Sequence, residues 1–212
     1  MTILALEFSS SQRSIAVARD GRVLAETSEA GGRETHAFGM IEKVLAAANL
    51  GREEIECLAV GLGPGSYTGI RVALAIAQGW QLTTGVKLLG IGSAECLAAQ
   101  AQAEKIFGRV NVVVDAQRGE FYLAAYEIST AGVKEVAPLK IVVPAEIASR
   151  AGEILTGPEV TRWFPAGANL FPQATMLATL AARRNDFMAG EKLEPVYLRE
   201  TNFVKAPARR QA

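Results

Sequence analysis

Histidine occurs once in 212 residues and cysteine twice, at Cys57 and Cys96. A single histidine, His36, excludes an HExxH site and any metal centre built on two histidines. Two isolated cysteines with no CxxC exclude a zinc ribbon and a disulfide framework; they read as small buried hydrophobes in a reducing compartment. An excess of one charge is also missing, because 22 basic residues balance 22 acidic ones. Holding nucleic acid by counterion release needs a concentrated basic surface, so any RNA role has to pass through a partner. Membrane-spanning apolar runs are absent too, since Arg71, Gln78 and Glu95 interrupt the best candidates. The opening "MTILALEFSSS" carries no basic leader and meets Glu7 too early for a signal-peptide core. The expectation is a soluble, cytoplasmic protein with no metal, no cofactor and no membrane contact.

What is present builds a core. Half of the residues are apolar and 21% are charged, the balance of a globular chain. "TILALEF" reads as a buried strand. "RSIAVAR" and "RVLAETS" flank Asp20-Gly21, a hairpin signal. In "ETHAFGMIEKVLAAANLG", Ala37, Phe38, Ile41, Val44, Leu45 and Ala48 recur at helical spacing, with Thr35 as N-cap and Gly51 as stop. Then follow a strand in "IECLAVGLG", a helix in "GIRVALAIAQGWQLTTG", a strand in "KLLGIGS" and a helix in "SAECLAAQAQAE". Past a seam near residues 102–108 the order recurs. "RVNVVVDAQ", "EFYLAAYEI" and "EVAPLKIVV" are strands, "PAEIASRAG" opens a helix, "EILTG" is a strand and "PQATMLATLAARRNDFMAG" a long helix. The tail from Glu191 reads as a surface arm or a disordered end. Three strands followed by crossovers, used twice, predict two mixed sheets with helices packed on them.

The densest motif is "VGLGPGSYTGIRVALAIAQGW", Val60 to Trp80. It is not a Walker A loop, which needs Gly-Lys-Ser/Thr at the helix start, and no lysine is there. Nor does it fit GxGxxG, because Gly61, Gly63 and Gly65 alternate after the fourth strand rather than the first. Ser66 and Thr68 are the candidate N-caps, and the loop is either a plain tight turn or an anion grip. Arg71 sits near the helix start, where a cation opposes the macrodipole, so a compensating carboxylate is expected from this chain or another molecule. The helix shows two apolar lines, Ile70–Leu74–Ala77–Gln81 and Val72–Ile76–Gly79–Thr83. Either both meet the chain's own core, or one is kept for a partner.

Other features leave alternatives open. Glu7, followed by Ser9 and Ser10, is a solvated strand end or a metal- or phosphate-holding turn. "DAQRGEFY" places Asp115, Arg118 and Glu120 at a hairpin, either a surface ion-pair cluster or a carboxylate facing a cleft. His36 could in principle serve a serine triad, but there is no GxSxG elbow.

"ILALEFSS", "THA", "LAVGLGPGSYTGIRVALAIAQGW", "VVVDAQRGEFYLAAY" and "EPVYLR" together resemble the TsaB (YeaZ-like) family, in register from Ile3 to Tyr126 and more weakly beyond. The resemblance implies an α/β chain of the actin-like ATPase (ASKHA) fold, built from two RNase H-like βββαβα halves with mixed sheets. The divisions are 1–104 for a partner-binding half, 105–190 for a second half and 191–212 for a tail. It implies a protein with no catalytic residues of its own. Its partner would be the catalytic subunit TsaD, which transfers threonylcarbamoyl from its adenylate to N6 of adenosine 37 in tRNA. The ATPase TsaE joins that complex, tRNA is reached only through it, and the isolated protein forms a homodimer by the same surface. The partner surface would use Thr35, His36 and Met40 on the first helix. On the second it would use Gly69, Ile70, Arg71, Ala73, Leu74, Ala77 and Trp80.

Two departures weaken a nucleotide site formed by Glu7, Ser9, Ser10 and Asp115. Glu7 and Phe8 stand where the family usually has aspartate and threonine. "TGPEVTRWF" stands where Gly-Asp-Gly-type residues are usual, and Pro158 stiffens that turn. The competing functional reading is a stand-alone ATP-dependent enzyme of the same fold, a small-molecule kinase or ATPase. A peptidase is a third reading, with neither a metal site nor a triad to support it.

Overall fold

A computed structural model describes residues 1–30, 36–150 and 152–198 of the chain. All six residues of β1 (Thr2–Glu7) are buried, which is why it reads as an unbroken apolar run: neither face meets water. Asp20 and Gly21 take φ of 52° and 80°, the left-handed pair that a two-residue hairpin turn demands. They join β2 (Gln12–Arg19) to β3 (Arg22–Ala30), with Arg19 opposite Arg22. Then come α1 (Ala37–Ala48), β4 (Cys57–Gly61), α2 (Tyr67–Thr84), β5 (Lys87–Ile91) and α3 (Ser93–Ala103). The first sheet runs β3-β2-β1-β4-β5, with β1, β4 and β5 parallel and β2 antiparallel to both neighbours.

The second half contains β6 (Gly108–Asp115), β7 (Phe121–Ser129), β8 (Gly132–Val142), α4 (Pro144–Ala148), β9 (Ile154–Gly157), β10 (Ala168–Asn169) and α5 (Ala174–Ala181). Its sheet runs β10-β9-β6-β7-β8, the same order as the first with the positions renumbered. This duplicated mixed sheet is the actin-like ATPase architecture. The halves differ after their fourth strand. Where the first half inserts the 18 residues of α2, the second has only a 3-10 turn at Val160–Arg162.

The inner helices are exchanged between the halves. Ala94, Leu97, Ala98 and Ala101 of α3 pack on Val110, Val112, Val114 and Tyr126 of the second sheet. Ala174, Leu177, Ala178 and Ala181 of α5 pack on Ile3, Ala5, Ala16 and Ala18 of the first. Alanine faces on both helices keep them close to the sheets and tie the halves through shared cores. The outer face of the first sheet is covered by α1 and α2 over Leu4, Leu6, Leu58 and Val60.

Four local expectations are corrected. The helix read across "PQATMLATLAARRNDFMAG" is only eight residues long; beyond Ala181 the apolar pattern gives way to Arg183 and Arg184, and Met188 is drawn into a bridge with Leu88. Helix α1 stops at Asn49 in the left-handed conformation, not at Gly51. The residue preceding α1 is His36, which makes no side-chain cap; the expected cap, Thr35, lies outside the described residues. The tail is not a free arm up to Leu198: Leu193 is buried in the core under α2. There Gln78 Nε2 donates to the Gly190 carbonyl (2.9 Å), and the Gly190 N–H donates to Gln81 Oε1 (2.7 Å). Residues 199–212 lie outside the described residues. No helix among the described residues is long and apolar enough to cross a membrane.

Candidate functional site

The glycine loop closes on the end of the first strand. A Cβ on Gly61 would stand 2.0 Å from Glu7 Oε2, one on Gly65 1.9 Å from the Ser9 carbonyl oxygen, and one on Gly69 2.0 Å from the Phe8 carbonyl oxygen. Three glycines, each four residues from the next, therefore let the loop and the first turn of α2 lie directly on residues 7–9. The Ser66 N–H donates to the Ser9 carbonyl at 2.7 Å. Ser66 is the cap of α2 and accepts from the Gly69 N–H at 3.3 Å, as its sequence position predicts.

Glu7 is sealed beneath this loop and fully buried. Its carboxylate accepts from the Ser9 N–H (2.8 Å) and from Ser93 Oγ (3.0 Å). Burial raises the pKa of this carboxyl, against the smaller opposing effect of those hydrogen bonds. An acid that titrates higher in the folded chain than in the unfolded one stabilises the fold most at low pH. That contribution is lost as pH rises from the ordinary glutamate range to the raised folded value. Glu7→Gln is therefore expected to flatten the pH dependence: urea unfolding at about pH 5 and about pH 8 should show the variant gaining on the parent at the higher pH. Equal loss of stability at both would mean that Glu7 is held ionised.

A cleft of about 510 Å³ lies between the halves, lined by Ser9, Ser10, Ser11, Arg13, Tyr67, Thr68, Asp115, Gln117, Glu159 and Trp163, among others. Of the four residues expected at a nucleotide or phosphate site, Ser9, Ser10 and Asp115 reach this cleft, whereas Glu7 does not line it. Asp115 accepts from the N–H and the Nε2 of Gln117 at 2.7 and 2.9 Å. Ser11 Oγ donates to Glu159 Oε1 at 2.6 Å across the cleft. Its charged lining is one arginine against two carboxylates, a poor electrostatic match for a triphosphate. Among the described residues no cluster of three or more His, Cys, Asp or Glu side chains could hold a metal. His36 is exposed, and its backbone N–H donates to Glu29 Oε1 at 3.3 Å.

The outer surface of α1 and α2 is different in kind. Phe38 is 65% exposed and Leu82 88%. Between the helices runs a groove of about 300 Å³ lined by Phe38, Ile41, Ala75, Ile76, Gly79, Trp80 and Thr83, with Arg52 and Thr84 at its edge. The exposed apolar side chains are gathered on this one face rather than scattered singly over the surface.

The structure sorts the ten residues expected at a partner surface. Met40, Gly69, Ile70, Ala73, Leu74 and Ala77 are buried in the chain's own core, so these six are corrected. Ala73 and Ala77 are small because the helix must lie close to its own sheet, and Gly69 because it touches the Phe8 carbonyl. His36 and Arg71 are exposed, Trp80 is half-buried, and Thr35 lies outside the described residues. The residues this outer face presents instead, Phe38, Ala75, Gly79, Leu82 and Thr83, with Ile76 half-buried among them, were legible in part. Ile76, Gly79 and Thr83 belong to the second apolar line. Phe38 is a correction: the spacing places it on the apolar line of α1 with Ala37 and Ile41, but it stands about 100° around the helix from Ala37 and is exposed.

A family model described as TsaD, tRNA N6-adenosine threonylcarbamoyltransferase, matches residues 33–199. The tRNA threonylcarbamoyladenosine biosynthesis protein TsaB of Escherichia coli is 29% identical, over 94% of this chain and 95% of its own. TsaB of Bacillus subtilis is 28% identical over 69% of this chain and 64% of its own. A Pseudomonas aeruginosa crystal structure, described as an uncharacterised protein with similarity to peptidase YeaZ, superposes with a TM-score of 0.82 at 26% identity. It covers 93% of this chain and 99% of its own. With that fold, those relatives along the chain and the family model over most of its length, the protein belongs to the TsaB (YeaZ-like) family.

Proposed function

We propose that the chain serves tRNA threonylcarbamoyladenosine biosynthesis as a non-catalytic subunit that docks onto the threonylcarbamoyltransferase TsaD through the outer face of α1 and α2. TsaE joins the assembled pair, and tRNA is reached through the complex rather than by this chain alone. The observation that carries the reading is the apolar groove around Phe38, Ile76 and Gly79, on a half whose own core is already filled. Two further observations support it. The relatives of the same family are named for this modification, and the strand-end carboxylate on which a catalytic reading of the fold would depend is walled off beneath Gly61.

In this reading the protein contributes a surface. It supports the transferase, while the chemistry on adenosine 37 belongs to the partner. Alone, the same face pairs two copies of the chain. The test is reconstitution. Mixed with TsaD, the chain should elute as a heterodimer, and tRNA modification should fall to background when the chain alone is left out. Calorimetry of the isolated chain with ATP and Mg²⁺ should give no binding heat. Micromolar ATP binding, or full modification without the chain, overturns the proposal.

A further inference from the structure

Arg71 is the fifth residue of α2, close to the positive end of the helix dipole, and no ion pair among the described residues includes it. The compensating carboxylate that its position calls for is therefore not supplied by the described part of this chain. What surrounds Arg71 is aromatic. Its Nη1 donates to the Tyr67 hydroxyl at 2.9 Å, and the guanidinium carbon lies 5.2 Å from the Tyr67 ring centroid. Tyr197 stacks on Tyr67 with centroids 5.7 Å apart and planes 29° from parallel. Tyr197 reaches that place because the tail is strapped to α2: the Val196 N–H donates to the Leu62 carbonyl at 2.9 Å, and Gln78 and Leu193 anchor the segment before it. Both rings remain open to an incoming group, Tyr67 58% and Tyr197 49% exposed.

We infer that Tyr67, Arg71 and Tyr197 form a carboxylate-binding site on the docking face, which takes an aspartate or glutamate side chain of the partner protein. The guanidinium spends one of its five N–H donors on the Tyr67 hydroxyl and also hydrogen-bonds the Tyr197 side chain, and the donors left over can still take a carboxylate. A protein carboxylate is favoured as occupant because Arg71, Ala75 and Gly79, four residues apart, lie along one exposed line, and this line leads from the cluster into the apolar groove. A protein filling the groove would extend over Arg71 across the small side chains between them. The inference rests on the docking reading above and adds to it the tail segment and the chemistry of one contact.

The experiment measures the affinity of the full-length chain for TsaD by calorimetry, with thermal melting of each variant as the check on folding. Arg71→Glu is expected to weaken pairing about 10- to 100-fold, Arg71→Lys much less, and Tyr197→Ala by an intermediate factor. Arg71→Met removes the charge without reversing it, and should reduce the salt sensitivity of binding along with its strength. If the parent chain fails to bind TsaD, the docking reading falls, and this inference with it. If the parent binds and Phe38→Asp abolishes binding while Arg71→Glu binds like the parent, only the carboxylate site is overturned. If Arg71→Glu pairs normally but the assembled complex loses affinity for tRNA, the site serves an RNA phosphate and the inference is also overturned.

Discussion

Phe38→Asp and Gly79→Arg are each expected to weaken pairing with the transferase by about 100-fold or more, close to 3 kcal/mol, while the chain stays folded. Phe38 already spends most of its surface in water, so a charge there removes little from the free protein. At Gly79 an added Cβ meets nothing within 4 Å, so an arginine is accommodated on the monomer. Its bulk would then occupy the space that a partner must fill. Phe38→Asp should leave urea unfolding within about 0.5 kcal/mol of the parent, Gly79→Arg should gain up to about 1 kcal/mol because arginine is a far better helix former than glycine, and both should lose the heterodimer peak. The contrast is with Ala73→Arg or Ala77→Arg on the opposite face of the same helix. Those side chains are fully buried, and a charged group there is expected to unfold the chain. Parent-like pairing by both exposed variants would place the interface elsewhere.

Gly69→Ala should be strongly destabilising although it adds only one methyl. In the interior of an exposed helix, glycine to alanine gains about 1 kcal/mol. Here the added carbon would lie 2.0 Å from the backbone oxygen of Phe8, and backbone cannot swing aside as a side chain does. Strand β1 is paired on both edges, with β2 and with β4, so α2 has to lift instead. Lifting it loosens Ile70, Ala73 and Leu74 from the core and opens the seal over Glu7. A net loss of about 2–4 kcal/mol is expected from urea unfolding. A neutral or stabilised variant would mean that α2 sits less tightly on the strand end than these contacts require.

Much of the fold was legible because its signals are local. Asp20-Gly21 specifies a hairpin by conformation alone, Ser66 caps α2 through its own hydroxyl, and the apolar run "ILAL" cannot be an edge strand with one wet face. The duplication of three strands and a crossover followed from the same local readings. The failures were also local rules, overruled from a distance. The helix expected to run past Met188 ends at Ala181, and Met188 pairs instead with Leu88, a hundred residues earlier in the chain. The tail looked free because nothing within its own sequence says that Gln78 and Gln81 will hold it, or that Leu193 will fill a gap beneath α2.

The candidate site divides in the same way. Periodicity alone established that α2 carries two apolar lines, and that its loop lacks the lysine of a phosphate grip. Periodicity could not say which line meets the sheet. A helix has no outside until the sheet is beside it. Burial of Ile70, Ala73, Leu74 and Ala77, and exposure of Phe38, Gly79 and Leu82, are decided by how closely Gly61, Gly65 and Gly69 let α2 approach residues 7–9. The sequence by itself determined every strand but the two-residue β10, together with the hairpin turn, the loop's chemistry and the family resemblance. The tertiary structure decided which face is spare, because that depends on contacts between residues some sixty positions apart that no local pattern encodes.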